Sequence, residues 1–342
     1  MKEQETQETH PWLRPLVFRD GRSLPCRIVP GPMEGVSEGS YIGVMTRCAL
    51  VKSWFTPFIR ISNGVPKNAK LKSKVEPYLS TGLPVIAQIM GIHKELLAEA
   101  AARLHNAGAT CVDLNCACPS SKVIGNKSGG YALTNPQWVH DTLCLMKEAC
   151  GKAAVSVKIR CGFASPDEIG EIAAAVREAR PDMVTCHFRT VREMYSPVQG
   201  GLERLARVRN LLPGIALLGS GDIFTVADAR RMREICGVDG VAPARGLLRN
   251  PALLREIEDD CLGARSGNHM GEAERLAFLE AVGTESGQKR RDQGFVLKIA
   301  KVMFGEDSRE FRVLMESISG VGRCGPRADS AHSTTDKESP CQ

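Results

Sequence analysis

The feature of this sequence that most constrains its fold is the alternation of short apolar runs with segments of helical periodicity. The runs are three to six residues long and recur every 25 to 45 residues, a spacing that suits a strand followed by a helix. Eight runs are present, at residues 27–29, 54–59, 85–89, 111–114, 155–159, 183–187, 215–218 and 240–242. Eight strands that alternate with helices favour a closed, parallel (β/α)8 TIM barrel of the α/β class over an open doubly wound sheet.

The helical segments divide the chain into regions. Helical spacing is clearest at residues 95–106, 136–149, 167–178 and 225–235, and after residue 251 only helices are predicted, at 253–259, 272–283 and 294–318. We therefore expect a barrel at residues 21–255 and a small helical domain at 256–320. The polar ends, residues 1–20 and 321–342, are expected to be a flexible extension and a disordered tail.

Composition narrows the class of protein and its compartment. With 342 residues, 43% of them hydrophobic and 25% charged, the chain can bury a large core without disulfides. Its 13 cysteines are an odd number and its first ten residues are polar. No apolar stretch reaches the ~18 residues that span a bilayer. We expect a cytoplasmic protein with free thiols and no membrane association. The net charge of +6 is compatible with a polyanionic partner but does not require one.

Residues 115–120, Asn-Cys-Ala-Cys-Pro-Ser, follow the fourth run and therefore lie where barrel enzymes place their active sites. The two cysteines, Cys116 and Cys118, raise the question of a zinc site. Structural zinc sites need four ligands, and no second cysteine or histidine pair follows at a suitable distance, so we predict no metal. A functional thiol and a pair of small buried thiols both remain open at this point.

Charged side chains follow the fifth and sixth runs. Lys158 and Arg160 are two residues apart in one strand, so both are expected to point into the barrel mouth. Two inward cations require anions or a ligand as partners, and internal salt bridges are the alternative to a ligand. His187 ends the sixth run, where its position favours a role in binding. A purely structural histidine is the alternative there.

Glycine-containing loops follow the first, seventh and eighth runs. Residues 31–35, Gly-Pro-Met-Glu-Gly, suit either a wall against a flat ring or an ordinary turn. Residues 219–222, Gly-Ser-Gly-Asp, and 244–246, Ala-Arg-Gly, each precede a helical segment. Loops after the seventh and eighth strands of a barrel often bind phosphate through backbone N–H groups. The pair of loops predicts a phosphate-bearing cofactor or substrate, with simple turns as the alternative.

Taken together and in order, these segments resemble the tRNA-dihydrouridine synthase family over residues 28–320. Two of them, PMEGV at 32–36 and DLNCACPS at 113–120, are most similar to the bacterial C-type subgroup. The other matching positions are Gln88, 128–130 (SGG), 155–160 (VSVKIR), His187, 189–190 (RT), 221–222 (GD) and 245–246 (RG).

Three segments depart from the usual pattern of this family. Phe188 stands in place of the glycine in His-Gly-Arg-Thr, and Ser220 in place of the asparagine in Asn-Gly-Asp. Pro243 and Ala244 replace the Ile-Gly that precedes Arg245. All three lie in segments that the resemblance assigns to the phosphate end of a flavin.

The resemblance implies an FMN-binding barrel followed by a helical tRNA-binding domain. It implies that Cys118 is the catalytic general acid, and that Asn115, Arg160 and Tyr195 contact the target uracil. The implied cofactor-binding residues are Pro32, Met33, Glu34, Gln88, Lys158, His187, Ser220, Gly221, Asp222, Ala244 and Arg245.

The activity implied by the resemblance is reduction of the C5–C6 bond of a D-loop uridine in tRNA, at position 16 for this subgroup. Hydride passes from flavin N5 to C6, Cys118 protonates C5, and NADPH or NADH reduces the flavin again. The chain would act as a monomer on a uridine extruded from the folded RNA. Two alternatives remain: an FMN barrel reductase acting on a small pyrimidine or enone, and a non-catalytic RNA-binding protein.

Overall fold

The computed structural model describes residues 9–36, 39–264, 269–286 and 290–320, and its centre is a curled parallel sheet. The strands are β1 (Leu16–Val17), β2 (Ser23–Leu24), β3 (Trp54–Phe55), β4 (Ile59–Ile61), β5 (Val85–Gly91), β6 (Cys111–Asn115), β7 (Ala154–Arg160), β8 (Met183–His187), β9 (Ala216–Ser220) and β10 (Gly240–Val241). Strands β5 to β10 pair in chain order, and β3 and β4 both pair with β5. This sheet, with its surrounding helices, confirms the predicted parallel barrel.

The first apolar run lies beside the last strand and not in a full strand of its own. Ile28 forms a single parallel bridge with Val241, and the Val29 N–H donates to the Val241 carbonyl at 3.0 Å. The predicted strand at 27–29 was therefore too long, because only Ile28 forms a bridge. Pro30 and Pro32 explain the difference, because neither has an N–H to extend the ladder.

The second predicted strand, 54–59, is also interrupted. It is divided into β3 and β4, with Pro57 in the break. Both pieces still pair with β5 in parallel, so the run keeps its place in the barrel. A proline inside a central strand removes a ladder hydrogen bond, which accounts for the division.

Thirteen α-helices are found in the described part of the chain. They are α1 (Gly39–Arg47), α2 (Asn68–Leu79), α3 (Lys94–Asn106), α4 (Ser121–Gly125), α5 (Pro136–Cys150), α6 (Ile169–Ala179), α7 (Gly201–Leu211), α8 (Val226–Cys236), α9 (Arg245–Arg249), α10 (Leu253–Cys261), α11 (Glu272–Ser286), α12 (Arg290–Phe304) and α13 (Arg309–Gly320). The four helices predicted between strands are confirmed to within about two residues. The segment 294–318 contains parts of two helices, separated where Gly305 adopts a φ of +91°.

The C-terminal helices pack directly on the barrel helices. Tyr41 on α1 meets Phe278 on α11 edge to face, with ring centroids 5.9 Å apart, and Arg47 forms an ion pair with Glu285. The domain boundary predicted at residue 255 falls inside α10. Among the described residues, no helix is long and apolar enough to cross a membrane.

The N-terminal segment contributes to the barrel from residue 11 onward. Trp12 is buried in a short 3-10 turn, and its indole N–H donates to the Val238 carbonyl at 2.9 Å. Residues 1–8 of the predicted extension and the predicted tail at 321–342 lie outside the described residues.

The barrel interior changes from apolar to polar along the strands, and this gradient positions the site. Near the strand N-termini, inward side chains such as Ile86, Cys111 and Met183 form one apolar cluster, which the β1–β2 hairpin closes through Leu24. Toward the carboxyl ends the inward positions become polar. Gln88, Asp113 and Ser156 are in register across β5, β6 and β7, as are Arg160, His187 and Ser220 across β7, β8 and β9.

Candidate active site

A cavity of about 310 Å³ opens at the carboxyl ends of the strands, within the range of small-molecule and cofactor sites. It brings together all fifteen residues to which the sequence analysis gave a role: Pro32, Met33, Glu34, Gln88, Asn115, Cys118, Lys158, Arg160, His187, Tyr195, Ser220, Gly221, Asp222, Ala244 and Arg245. Residues to which the sequence analysis gave no role, including Phe58 and Phe224, complete the wall.

The amide side chains on β5 and β6 form a continuous hydrogen-bonded chain. Gln88 donates through Nε2 to Asp113 Oδ2 at 2.8 Å and accepts from Asn115 Nδ2 at 2.8 Å. Asn115 Oδ1 in turn accepts the backbone N–H groups of Ala117 and Cys118, each at 3.0 Å. The strand end is thus tied to the loop that carries the candidate catalytic thiol.

The backbone around Cys118 is fixed by a close glycine contact. The Gly130 N–H donates to the Cys118 carbonyl at 3.0 Å. Gly129 has a φ of +60°, and a side chain there would place its Cβ 3.0 Å from the Cys118 Cβ, so only glycine fits. The Cys118 thiol is partly exposed to the cavity, whereas Cys116 is fully buried in the apolar core. Among the described residues no group of three or more metal-ligating side chains is present.

Lys158 presents an unpaired ammonium group to the cavity. Burial, and then the charge of Arg160, lower the pKa of Lys158 to about 8, with Asp113 partly opposing the shift. Within the described residues this group has neither a hydrogen-bond acceptor nor an ion-pair partner. A half-buried cation without a protein partner favours a ligand of opposite charge, so the site is suited to an electron-rich or anionic ligand beside Lys158.

Arg160 is held by backbone carbonyls. It donates to the carbonyls of Ala117 at 2.8 Å, Thr190 at 2.9 Å and Met194 at 2.8 Å. Its guanidinium also lies 5.6 Å from the centre of the Tyr195 ring. Nε and Nη1 are therefore committed to organising the loop after β8 and the Cys118 loop, which leaves Nη2 for a ligand.

His187 is neutral and has one defined tautomer. Burial and the surrounding cations, Arg160 first among them, lower its pKa well below the usual value. Its Nδ1 accepts the backbone N–H of Arg189 at 3.2 Å. The proton of the neutral ring consequently lies on Nε2, which makes His187 a hydrogen-bond donor at the cavity wall.

Positive charge exceeds negative charge where β9 and β10 end. Asp222 accepts from Arg189 at 2.9 and 2.5 Å and from Arg245 at 2.7 Å, so one carboxylate is shared by two guanidinium groups. The backbone N–H groups of Gly221, Asp222 and Arg245 line the same region, with no acceptor in the described chain. These donors suit a phosphate group, as the sequence predicted for this pair of loops.

The match to known proteins is consistent with this geometry. The family model described as dihydrouridine synthase (Dus) matches residues 28–321. The chain belongs to the dihydrouridine synthase family. It is 32% identical over 238 residues to the tRNA-dihydrouridine(16) synthase of Pseudomonas putida, an alignment that covers 68% of this chain and 73% of that protein. It is 30% identical over 239 residues to the enzyme of that name from Escherichia coli K12, over 68% and 75% of the two chains.

Solved structures with a similar fold include the old yellow enzyme of Trypanosoma cruzi and an old yellow enzyme homologue from Zymomonas mobilis. Both align with a TM-score of 0.54, at 13% and 12% identity. The alignments cover 78% and 77% of this chain and 95% of each of those chains. At such identities the likeness shows the barrel fold alone. Membership of the dihydrouridine synthase family identifies the chain as a flavin-dependent, NAD(P)H-dependent oxidoreductase that acts on CH–CH bonds.

The departures from the dihydrouridine synthase pattern are accommodated by neighbouring residues. The Phe188 ring packs against two glycines: a Cβ at Gly201 would lie 2.7 Å from it and one at Gly221 would lie 2.6 Å from it. Ser220 turns its hydroxyl to the Ala242 carbonyl at 3.2 Å. The bulk added at residue 188 is therefore placed where the backbone leaves room.

The sequence analysis gave no role to Asp113, although the structure places it at the base of the site. Asp113 is fully buried and accepts hydrogen bonds from Ser156 and Gln88. Burial raises its pKa to about 7. The signal was present in the sequence, since alternation from Asn115 places residue 113 inside the barrel as well. Its partners come from neighbouring strands, and no local pattern identifies them.

Proposed function

We propose that the chain is an FMN-dependent tRNA-dihydrouridine synthase that reduces the C5–C6 bond of a D-loop uridine with NADPH as electron source. The observation that carries the proposal is that Cys118 and the unpaired Lys158 line one cavity within electrostatic range of each other. A thiol supplies a proton and the ammonium group stabilises negative charge on a reduced ring. The relatives named tRNA-dihydrouridine(16) synthase support tRNA as substrate and position 16 as the target.

The donor set fits FMN. Lys158 and the Gln88 amide would bind the polar edge of the ring system, and Pro32, Met33 and Glu34 would line it. The phosphate would be held by residues at and just after the ends of β8, β9 and β10, which are His187, Ser220, Gly221, Asp222, Ala244 and Arg245.

The remaining residues would bind the base and move the proton. Asn115, Arg160 and Tyr195 would contact the uracil. A bound flavin, once reduced, would supply the hydride for C6 of the base. Cys118 would then give its proton to C5, and its fixed backbone would hold the thiol at the reacting carbon. The target uridine must leave the RNA stack to reach this cavity, and the net charge of +6 favours contact with the RNA backbone.

The test compares two cysteines two residues apart. Cys118→Ala should lower dihydrouridine formation by roughly 10²- to 10⁴-fold, the usual contribution of a general acid. FMN binding, measured by absorbance, should be unchanged. Cys116→Ala should retain turnover, because that thiol is buried in the core. The assay is dihydrouridine mapping in tRNA that lacks the modification, with NADPH as reductant.

Three results would contradict the proposal. The first is wild-type turnover by Cys118→Ala. The second is a purified wild-type protein that cannot be loaded with FMN. The third is reduction of a small enone with no activity on tRNA, which would support the alternative of a small-molecule reductase.

A further inference from the structure

We propose that Cys144, an exposed thiol on α5, is a nucleophile that forms a mixed disulfide with small disulfides that carry carboxylates, such as oxidised glutathione. His140 would be the base that takes its proton, and Asp141 would orient the histidine. None of these three residues lines the cavity at the strand ends. The inference is therefore independent of the proposed function.

The contact between the thiol and the imidazole follows from the helix. Residues 140 and 144 are one turn apart on α5, so their side chains meet on its surface. The Cys144 Sγ lies 3.6 Å from His140 Nε2, and the His140 side chain is 26% exposed. A thiol attacks as its thiolate, and a base within hydrogen-bond reach is a usual means of activating it.

Asp141 determines which ring nitrogen of His140 is the base. Its Oδ1 lies 3.1 Å from His140 Nδ1. Hydrogen bonds, first from Lys94 on α3, hold the pKa of Asp141 well below its usual value, so the group is a carboxylate and can only accept. Gln137 Nε2 lies 3.3 Å from the same Nδ1 but makes its shorter bond, 2.7 Å, to Asp141 Oδ1. The proton of the neutral ring therefore lies on Nδ1, and Nε2 can accept from Cys144.

A cation on the same helix suits an anionic reagent. Lys147 is within electrostatic range of Cys144. Its ammonium group donates to the carbonyls of Ala179 and Arg180 at 2.8 and 2.7 Å, and no carboxylate in the described chain forms an ion pair with it. This charge would attract the carboxylates of glutathione and stabilise the negative charge on sulfur during attack.

The proposed step is a thiol–disulfide exchange. His140 takes the Cys144 proton as Sγ attacks one sulfur of the reagent. The new S–S bond forms as the S–S bond of the reagent breaks. The departing sulfur leaves with the electron pair and then receives the proton from His140. Cys144 is oxidised to a mixed disulfide, and the reagent is reduced to one free thiol and the half bound to the protein.

The adduct has no neighbouring thiol to displace it. Among the described residues the one pair of sulfurs in contact is Cys161 and Cys186, which are buried and 3.7 Å apart. The product at Cys144 is therefore expected to persist until an added dithiol reverses it.

The measurement is the rate at which the full-length protein forms the adduct with oxidised glutathione, followed by peptide mass spectrometry without reductant. Trypsin separates Cys144, in the peptide 128–147, from Cys48, in the peptide 48–52, and each peptide has one cysteine. Cys48 is also exposed and serves as the internal reference. Cys144 should react about tenfold faster or more, because a general base assists it. Equal rates at the two cysteines would overturn the inference.

The variant that tests the base is His140→Gln, which should slow the reaction of Cys144 about tenfold and leave Cys48 unchanged. His93→Gln is the matched control. His93 is an exposed histidine at the start of α3, and its side chain does not cap that helix, so its loss should alter the Cys144 rate by less than about twofold. An unchanged Cys144 rate in folded His140→Gln would contradict the proposal.

Asp141→Ala tests the orientation of the imidazole. Without the carboxylate, Gln137 becomes the partner of Nδ1 and donates to it, so the proton moves to Nε2 and the base is lost. The Cys144 rate should fall about fivefold, the effect of one ordinary hydrogen bond. Lys94→Met is the control, because it removes only the partner of Asp141 Oδ2 at 2.9 Å and should change the rate by less than about twofold. If His140→Gln fails to fold, this pair decides, and equal rates in Asp141→Ala and Lys94→Met overturn the inference.

Discussion

The two ends of the cavity are built on different physical principles. The Cys118 end is formed by Gln88, Asn115, Cys118 and Lys158. It depends on a chain of hydrogen bonds that run in one direction through two buried amides. The Arg245 end is formed by Phe188, Ser220, Gly221, Asp222 and Arg245. It depends on excess positive charge and on close packing. At the first end the hydrogen-bond partners of Gln88, Asn115 and the Cys118 backbone restrict replacement of these residues. At the second end several donors surround one carboxylate.

The departures from the family pattern that the sequence analysis identified lie at only one of these two ends. The departures at residues 188, 220 and 244 all lie at the Arg245 end. A phosphate can be bound by any set of donors of sufficient charge, so a changed side chain there is offset by a neighbour. A directional chain of amides has no such tolerance, because one reversed group leaves two buried polar atoms unpaired.

The largest effect that separates the two ends should come from Arg245→Gln. This change removes one of the two guanidinium groups on Asp222 and leaves the Arg189 pair in place. If Arg245 binds the cofactor phosphate, the FMN dissociation constant should rise about tenfold to a hundredfold, the strength of a hydrogen bond to a charged group. Binding of riboflavin, which has no phosphate, should hardly change. Fluorescence titration of both ligands is the measurement.

Arg249→Gln is the matched control for that experiment. Arg249 is exposed and stacks on the Phe224 ring, 4.4 Å from its centre, next to Arg245. Its removal should alter FMN binding by less than about threefold, the effect of a screened surface charge. Equal losses for FMN and riboflavin in Arg245→Gln would mean that this end does not bind phosphate.

The packing at the Arg245 end should give the next largest effect. In Gly201→Ala the new Cβ would lie 2.7 Å from the Phe188 ring, so the free energy of unfolding should fall by about 1–3 kcal/mol, the cost of overpacking. In a Phe188→Gly background, Gly201→Ala should be neutral or stabilising. The coupling free energy between the two substitutions should therefore also be about 1–3 kcal/mol. The four proteins of this cycle are wild type, the two single variants and the double variant. Urea unfolding of the four proteins measures this coupling.

Gly170 provides the control for the packing cycle. It lies within α6, and a Cβ there would meet nothing within 4 Å. Gly170→Ala should therefore stabilise the protein by about 0.5–1 kcal/mol, the intrinsic helix preference of alanine. If Gly201→Ala raises the free energy of unfolding as Gly170→Ala does, a Cβ at residue 201 does not clash with the Phe188 ring.

The fold was predictable wherever local periodicity determines it. The strand predicted at 183–187 matches β8 residue for residue, because its flanking segments interrupt the apolar pattern at both ends. The first strand was predicted less well, because Pro30 and Pro32 restrict pairing to one bridge. Helices α2 and α7 were not predicted, since their polar residues dilute the apolar face.

The sequence predicted which residues line the site better than it predicted their hydrogen-bond partners. Alternation alone placed Lys158 and Arg160 inside the barrel, and both line the cavity. The partners of Arg160 are carbonyls at residues 117, 190 and 194, and those of Asp113 are on two other strands. Such contacts depend on strand register and loop path. A single sequence carries no local signal for either.

The smallest predicted effect concerns Lys158 and pH. Its pKa is lowered to about 8, first by burial and then by Arg160, so the ammonium is charged below that pH and neutral above it. If the charge supports the ring end of the flavin, the dissociation constant should rise about fivefold as pH increases from 7 to 9, with a midpoint near 8. FMN and riboflavin should share this dependence, because the ring is common to both. Lys158→Met should bind both flavins more weakly at pH 7 and show no such transition, whereas a transition that persists in Lys158→Met would assign it to another group.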